Sequence, residues 1–310
     1  RLAAKSSDDI KNYLNKIKQY DQAPFAHQTI EDKLWMKKAI HLGGGTTPYE
    51  KDSFKGILKN MENIIRNSKL GFDVSSYYKS STDILQSVTT EKIRDEINNG
   101  VSLITFFGHS AAGTWEFSLE NPRDYSNFGK YPFINSLGCY SGNIHGKNSG
   151  ISEFFVLEKD KGSIAFLAST STAFPLDLSN FGQEQYNEIG NTSYNEPMGL
   201  ILNKIAFKNK YSENTRLAFY QQMTFHGDPA VKIFGAEGPD YTFNIENTSI
   251  SPQFINSSVT TFEIKFNIIN LGKFIKDSID IRFFHGLPNG TIVDTIYLRI
   301  EAPAISSTHE

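Results

Sequence analysis

Two hydrophobic periods divide the chain. Up to about residue 235, apolar residues recur either at helical spacing or in short unbroken runs. In "SSDDIKNYLNKIKQY", Ile10, Tyr13, Leu14, Ile17 and Tyr20 share one helical face, and Ser6 with Asp9 forms a capping-box pattern. "SFKGILKNMENIIRNS" repeats the spacing with Phe54, Ile57, Leu58, Met61, Ile64 and Ile65. "TEKIRDEINNG" predicts a third helix between Thr90 and Gly100, and further helices are expected over 149–159, 179–189, 196–208 and 213–223. The unbroken runs read as strands: "KKAIHL", "FDVSSYY", "VSLITFF" (101–107), "PFINSL" (132–137), "SIAFLAS" (163–169) and a last one, "AVKIF" (230–234). Several are apolar nearly throughout, as in strands covered on both faces. Helices interleaved with buried strands predict a doubly wound, mostly parallel α/β sheet. Ligands in such sheets sit beyond the carboxyl ends of the strands.

Beyond "AEGPDY" the period changes to two. Phe262, Ile264, Phe266 and Ile268 alternate with Glu263, Lys265 and Asn267, and "SIDIRFF" and "TIVDTIYLRI" continue the theme around a Pro288-Asn289-Gly290 turn. Residues 238–310 are therefore expected to form a small, loosely immunoglobulin-like β-sandwich.

Composition adds limits rather than identity. Apolar residues make up 39% of the 310 positions and aromatics 13%, enough for a sizeable core. The net charge is −3 and the basic residues are scattered, so no nucleic-acid footprint is visible. No stretch is long and apolar enough to span a bilayer. The chain begins at Arg1 with no signal peptide, which reads as a processed or trimmed product. A single cysteine, Cys139, cannot form an internal disulfide.

That cysteine ends a predicted strand, in Gly138-Cys139-Tyr140, and Gly108-His109-Ser110 ends another. A thiolate is the nucleophilic form of cysteine, and a neighbouring imidazole can take its proton and return it to a leaving amine. The glycines allow tight backbone turns, and exposed N–H groups there suit a developing oxyanion. Each residue also has an ordinary reading: Cys139 as a small buried hydrophobe, His109 as a hydrogen-bonded structural residue.

"ITFFGHSAAGTWEF", then "FINSLGCYSG" with its Cys thirty residues after the His, then "GSIAFLASTSTAF", resembles the gingipain family of cysteine peptidases, in the caspase-like clan. "GDPAVKIF" (227–234) resembles the family's closing strand. The resemblance covers residues 1–235 well and the tail loosely. It implies a caspase-like peptidase domain followed by an immunoglobulin-like domain, with earlier strands and a pro-region upstream in the family. It implies His109 as acid and base, Cys139 as nucleophile, and an oxyanion hole from the N–H groups of Cys139 and Ser110. Ser110 stands where the family usually has glycine.

Other positions carry two readings each. Trp115 is expected to cover the cleft or to pack in the core. Phe174, by resemblance, walls the pocket for the residue before the scissile bond, or simply packs. Glu50 is a possible third catalytic member orienting His109, or an ordinary exposed glutamate. His226 near Asp228 reads as a second base or as part of a turn before the last strand. His145 is an alternative base. A Cys139/His109/His145 zinc site lacks paired ligand spacing. Gly43-Gly44-Gly45 lacks the Gly-Lys-Ser/Thr of a phosphate loop.

The leading expectation is an exported, surface-associated cysteine endopeptidase acting on protein or peptide substrates. It needs no cofactor, although structural calcium is common in the family. The resemblance also allows a sortase-like signal peptidase or transpeptidase of type IX secretion, working with secretion-system components. The competing class is a non-catalytic surface-binding protein on the same scaffold.

Overall fold

The computed structural model describes residues 1–26, 29–80, 87–146, 150–243, 245–256 and 258–309. The chain divides into two compact units, Arg1–Gly235 and Ala236–Glu310. In the first, α1 (Ser7–Ala26) and α2 (Ile30–Leu34) precede β1 (Lys38–Gly43), α3 (Pro48–Arg66), β2 (Asp73–Tyr78), α4 (Ser87–Asn99) and β3 (Leu103–Phe107). A two-residue hairpin, β4 (Ser110–Ala111) and β5 (Thr114–Trp115), leads to β6 (Phe133–Leu137), α5 (Ile151–Leu157) and β7 (Ala165–Ser169). Then come α6 (Pro175–Asn187), α7 (Met198–Lys208), α8 (Asn214–Gln222) and β8 (Met223–His226).

The central sheet has six strands in the order β2-β1-β3-β6-β7-β8. All pair in parallel except β8, which runs antiparallel to β7. Strand side chains alternate between the two faces. Leu103, Phe107, Phe133 and Leu137 pack with Phe54, Leu58, Met61 and Ile65 of α3, and with Leu178 and Phe181 of α6. Ile104, Phe106 and Ile134 point the other way, toward Ile93 and Ile97 of α4 and Ile151 and Phe155 of α5. Two apolar layers thus clamp the sheet, each fully buried Leu, Ile or Phe contributing roughly 1.5–3 kcal/mol.

Most helix ends fall within a few residues of the sequence expectation. At the start of α1, Asp9 N–H donates to Ser6 Oγ (3.2 Å) and Ser6 N–H to Asp9 Oδ2 (2.9 Å), closing the expected capping box. The last strand differs. Residues 230–234 form no strand, and the sixth strand is β8, where the sequence pattern had extended a helix to 223. Pro229 has no N–H for a ladder, Gly227 turns the chain at φ +126°, and Asp228 Oδ1 accepts from Ala230 N–H (2.9 Å). The expected turn around Asp228 therefore follows the last strand instead of preceding it. Val231 and Ile233 still bury in the core, from irregular backbone.

The second unit is antiparallel. It comprises β9 (Tyr241–Phe243), β10 (Ser249–Ser251), β11 (Glu263–Asn270), β12 (Ser278–Gly286), β13 (Ile292–Glu301) and β14 (Ser306–His309). β11 pairs with β9, β10 and β14, while β12 and β13 form a separate hairpin. Gly290 takes φ +85° in the connecting turn, as its Asn-Gly pair suggested. Phe266, Ile268, Ile281 and Ile300 form its core. Among the described residues, no helix is long and apolar enough to cross a membrane.

One buried lysine locks α1 to α5, its pKa pulled down to about 7 by burial. Lys16 Nζ shares its N–H groups among the carbonyls of Phe155 (3.2 Å), Val156 (3.1 Å), Glu158 (3.3 Å) and Lys161 (2.6 Å), at the C-terminal end of α5 where a helix favours positive charge. Lys16→Met fills the space but strands these acceptors. It is expected to lower stability by about 2–4 kcal/mol in urea unfolding; unchanged stability would show that the carbonyls find water instead.

Candidate active site

The register of the sheet determines which strand-end residues meet. Phe107 of β3 faces Leu137 of β6 across a parallel pair, so His109 and Cys139, each two residues further on, leave the sheet side by side. An even step also keeps them on the face of Phe107 and Leu137. Both contacts agree: the His109 ring lies 6.0 Å from that of Phe54, and Cys139 packs against the α3/α6 core layer. Strand spacing is about 4.8 Å, so the two backbones are next neighbours.

His109 is held at both ends. Its Nε2 lies 3.2 Å from Glu50 Oε1. A carboxylate only accepts, so Nε2 carries a proton, and in the neutral imidazole Nδ1 keeps the lone pair. Its side chain is 51% exposed and that of Glu50 28%. Glu50 sits in the first turn of α3, in a capping box with Thr47. Its Oε2 accepts from Thr46 Oγ1 (2.7 Å), Thr46 N–H (2.9 Å) and Thr47 N–H (3.1 Å). The Thr46 bonds, with lesser help from Thr47 and His109, hold the Glu50 carboxyl down at about 2. The backbone end is fixed by Glu116, whose Oε2 accepts from His109 N–H at 2.9 Å.

Cys139 lies in a tight turn. Tyr140, next in sequence, adopts φ +58°, a conformation costing a bulky residue roughly 1–2 kcal/mol. The turn is fastened by Tyr140 N–H to Ser171 C=O (3.1 Å) and Gly142 N–H to Ser169 C=O (2.9 Å). It delivers Cys139 Sγ to Ala173, whose N–H lies 3.4 Å from the sulfur and whose C=O lies 3.6 Å from it. The glycine before the cysteine is a spatial necessity: a Cβ on Gly138 would sit 2.3 Å from Ser110 Oγ and 2.7 Å from the Gly108 carbonyl. Ser110 Oγ donates to the Cys139 carbonyl at 2.7 Å, so the side chain at this position ties the two strand-end turns together.

Other expected site residues divide. Phe174, 67% exposed, directly follows Ala173, the residue whose N–H reaches the sulfur. Trp115 is not over the cleft. It is buried in the opposite apolar layer, stacked 5.2 Å from Phe106, with its Nε1–H donating to Ser136 Oγ (3.1 Å). The β4–β5 hairpin turns it there by pairing Ser110 with Trp115. His226 is buried within β8, and burial pulls its pKa down to about 4. His145 is exposed in the loop after the cysteine turn. Among the described residues, no group of three His, Cys, Asp or Glu side chains is arranged to hold a metal, so the zinc alternative has no centre there.

Sequence reading missed Glu116 and Lys79, buried partners 3.2 Å apart, and the main chain of Ala173. No motif or spacing in the sequence marks Glu116; only the tertiary fold turns its carboxylate under the strand ends.

The comparisons with known proteins agree with this architecture. Gingipain R2 of Porphyromonas gingivalis is 25% identical over 280 residues, covering 85% of this chain and 35% of its own length. Lys-gingipain of the same organism is 21% identical over 194 residues, 61% of this chain and 10% of its own. The chain thus spans about a third or less of these relatives. Among solved structures, the Arg-specific cysteine proteinase gingipain R (RGPB) superposes with a TM-score of 0.59 at 16% identity, over 95% of this chain and 65% of that one. Another, described as a protease, gives 0.60 at 13% identity, over 99% and 72%. At such identities the superpositions establish the shared fold. The sequence profile of peptidase family C25 matches residues 1–234, and the chain belongs to that family.

Proposed function

We propose that this chain is a cysteine endopeptidase in which Cys139 attacks the substrate carbonyl and His109 moves the protons. The observation that carries the reading is the placement of both residues on one face, at the ends of adjacent parallel strands, with His109 paired to Glu50. Family membership and the proteinase relatives support it.

In this mechanism, His109 Nδ1 accepts the Cys139 thiol proton, and the Ala173 N–H stabilises the resulting sulfur anion. The thiolate adds to the peptide carbonyl, and its oxygen becomes an oxyanion facing the backbone N–H groups of Cys139 and Ser110. The tetrahedral species collapses as imidazolium gives its proton to the departing amine, leaving a thioester on Cys139. Water, deprotonated by His109, adds to the thioester; collapse releases the acid and returns the proton to sulfur. Glu50 orients the neutral imidazole and stabilises the imidazolium when it forms. Phe174 offers an apolar wall to the residue preceding the scissile bond. An exported location and an immunoglobulin-like second unit belong to the same reading and rest on the family resemblance.

Two measurements test it. Against a mixed peptide library, Cys139→Ala and His109→Ala are each expected to lose at least about a thousandfold in kcat/KM while retaining the wild-type melting curve. Cleavage that survives Cys139→Ala assigns the activity elsewhere. Glu50→Gln tests, by pH, the anchoring that holds the third member in place. The folded pKa of Glu50 is depressed below its ordinary 4.5, so its stabilising effect is complete above about pH 4.5 and disappears as pH falls through about 2. The stability gap between wild type and Glu50→Gln is expected to be flat at neutral pH and to close in that acid window. A gap that instead closes near pH 6–7 would place the titration on histidine.

A further inference from the structure

Beneath the candidate site lies a buried carboxylate to which the proposed mechanism gives no task. Glu116, at the end of the β4–β5 hairpin, is 7% exposed. Its Oε2 accepts two main-chain N–H groups, from His109 (2.9 Å) and Gly45 (2.8 Å). Its Oε1 lies 3.2 Å from Lys79 Nζ, and both side chains are almost wholly buried. Lys79 is the residue after β2, and its own N–H donates to the Gly43 carbonyl at 2.9 Å. One carboxylate therefore joins the exits of β1, β2 and β3.

The backbone has been shaped to admit it. A Cβ on Gly44 would lie 1.8 Å from Glu116 Oε2, and one on Gly108 would lie 2.6 Å away. Gly44 and Gly45 of the triple glycine thus lie against a carboxylate that belongs to the protein itself.

The two N–H donors are not equivalent to any other pair in the site. One belongs to His109. The other belongs to Gly45, and the next residue, Thr46, holds Glu50 Oε2 through its N–H (2.9 Å) and its hydroxyl (2.7 Å). Glu116 thereby anchors the roots of both partners in the 3.2 Å contact between Glu50 and His109. We propose that Glu116 is a positioning residue for the His109–Glu50 pair, with Lys79 fixing the direction of its carboxylate. The proposal rests on the catalytic reading above for its kinetic consequence, but not for its geometric one.

Glu116→Gln is nearly isosteric yet cannot satisfy all three partners. If the amide oxygen keeps the two N–H groups, its NH2 confronts Lys79 Nζ; turned over, it confronts the N–H groups. The expected result is a 10–100-fold fall in kcat with KM within about twofold, because misplacement by about 1 Å costs on that scale. Adding Lys79→Met removes the opposing donor and is expected to restore most of the loss. A second readout needs no turnover: the ring tautomer of His109, read from its imidazole nitrogens by NMR in a Cys139→Ala background. Glu116→Gln is expected to lose the single Nε2–H form that faces Glu50, and Glu116→Gln/Lys79→Met to restore it. A purely structural Glu116 would lower the melting temperature and leave kcat and the tautomer of folded protein unchanged, which would overturn the proposal. Should Glu116→Gln not fold, Glu116→Leu/Lys79→Met leaves no buried charge and no acceptor. It carries the same expected loss of kcat and of the single tautomer, and wild-type values for both in that variant would equally overturn the proposal. If Cys139 proves unnecessary for cleavage, the catalytic reading fails, whereas the His109 tautomer still decides this one.

Discussion

The parallel register between β3 and β6 is the constraint on which the rest of the site depends. Because Phe107 pairs with Leu137, the residues two steps beyond each strand emerge together and on the same face. A slip of one residue would send one of them to the opposite face. The register is set by burial: each strand presents alternating apolar residues to two separate helix layers, so a shifted strand would mismatch both. The chemistry of a thiol and an imidazole thus inherits its geometry from core packing several residues away.

Above that register, the strand exits are held by polar contacts rather than by further sheet. Glu116 joins three exits, Ser110 Oγ ties the histidine turn to the cysteine turn, and Thr46 and Thr47 hold Glu50 against the N-terminus of α3. The left-handed Tyr140 costs energy, and its two neighbouring backbone bonds to the 169–171 segment offset that cost. The result is a set of loops with little freedom to redirect their side chains, as acid–base chemistry at a fixed carbonyl requires.

Much of this was legible in sequence because it follows from local pattern. Runs such as "SLITFF" and "PFINSL" announce strands buried on both faces, and the residues ending them stand out against the apolar background. Glu50 was visible as a candidate, but the capping box that anchors it depends on Thr47 starting the helix. Other features escaped because they are tertiary. The two residues between β4 and β5 fold back so that Trp115 enters the far layer while Glu116 turns under the strand ends, which no spacing rule distinguishes. "AVKIF" has the composition of a strand, yet Pro229 and the positive φ of Gly227 keep it irregular, and the sheet closes instead on "MTFH". There the helix ends at Gln222, within one residue of its expected end, and the short strand that follows it carries no long apolar run.

The central claim is that the fold converts a lone cysteine into a nucleophile activated by its strand-end neighbour. Its most direct test is the rate of alkylation of Cys139 by iodoacetamide near neutral pH, in wild type and in His109→Ala, with the adduct located by mass spectrometry. The account predicts modification of the folded wild-type protein at Cys139, faster than a free thiol, which is only a few per cent ionised near pH 7, and at least about tenfold slower in His109→Ala. Equal rates in the two proteins, or a Cys139 that reacts only after unfolding, would contradict it.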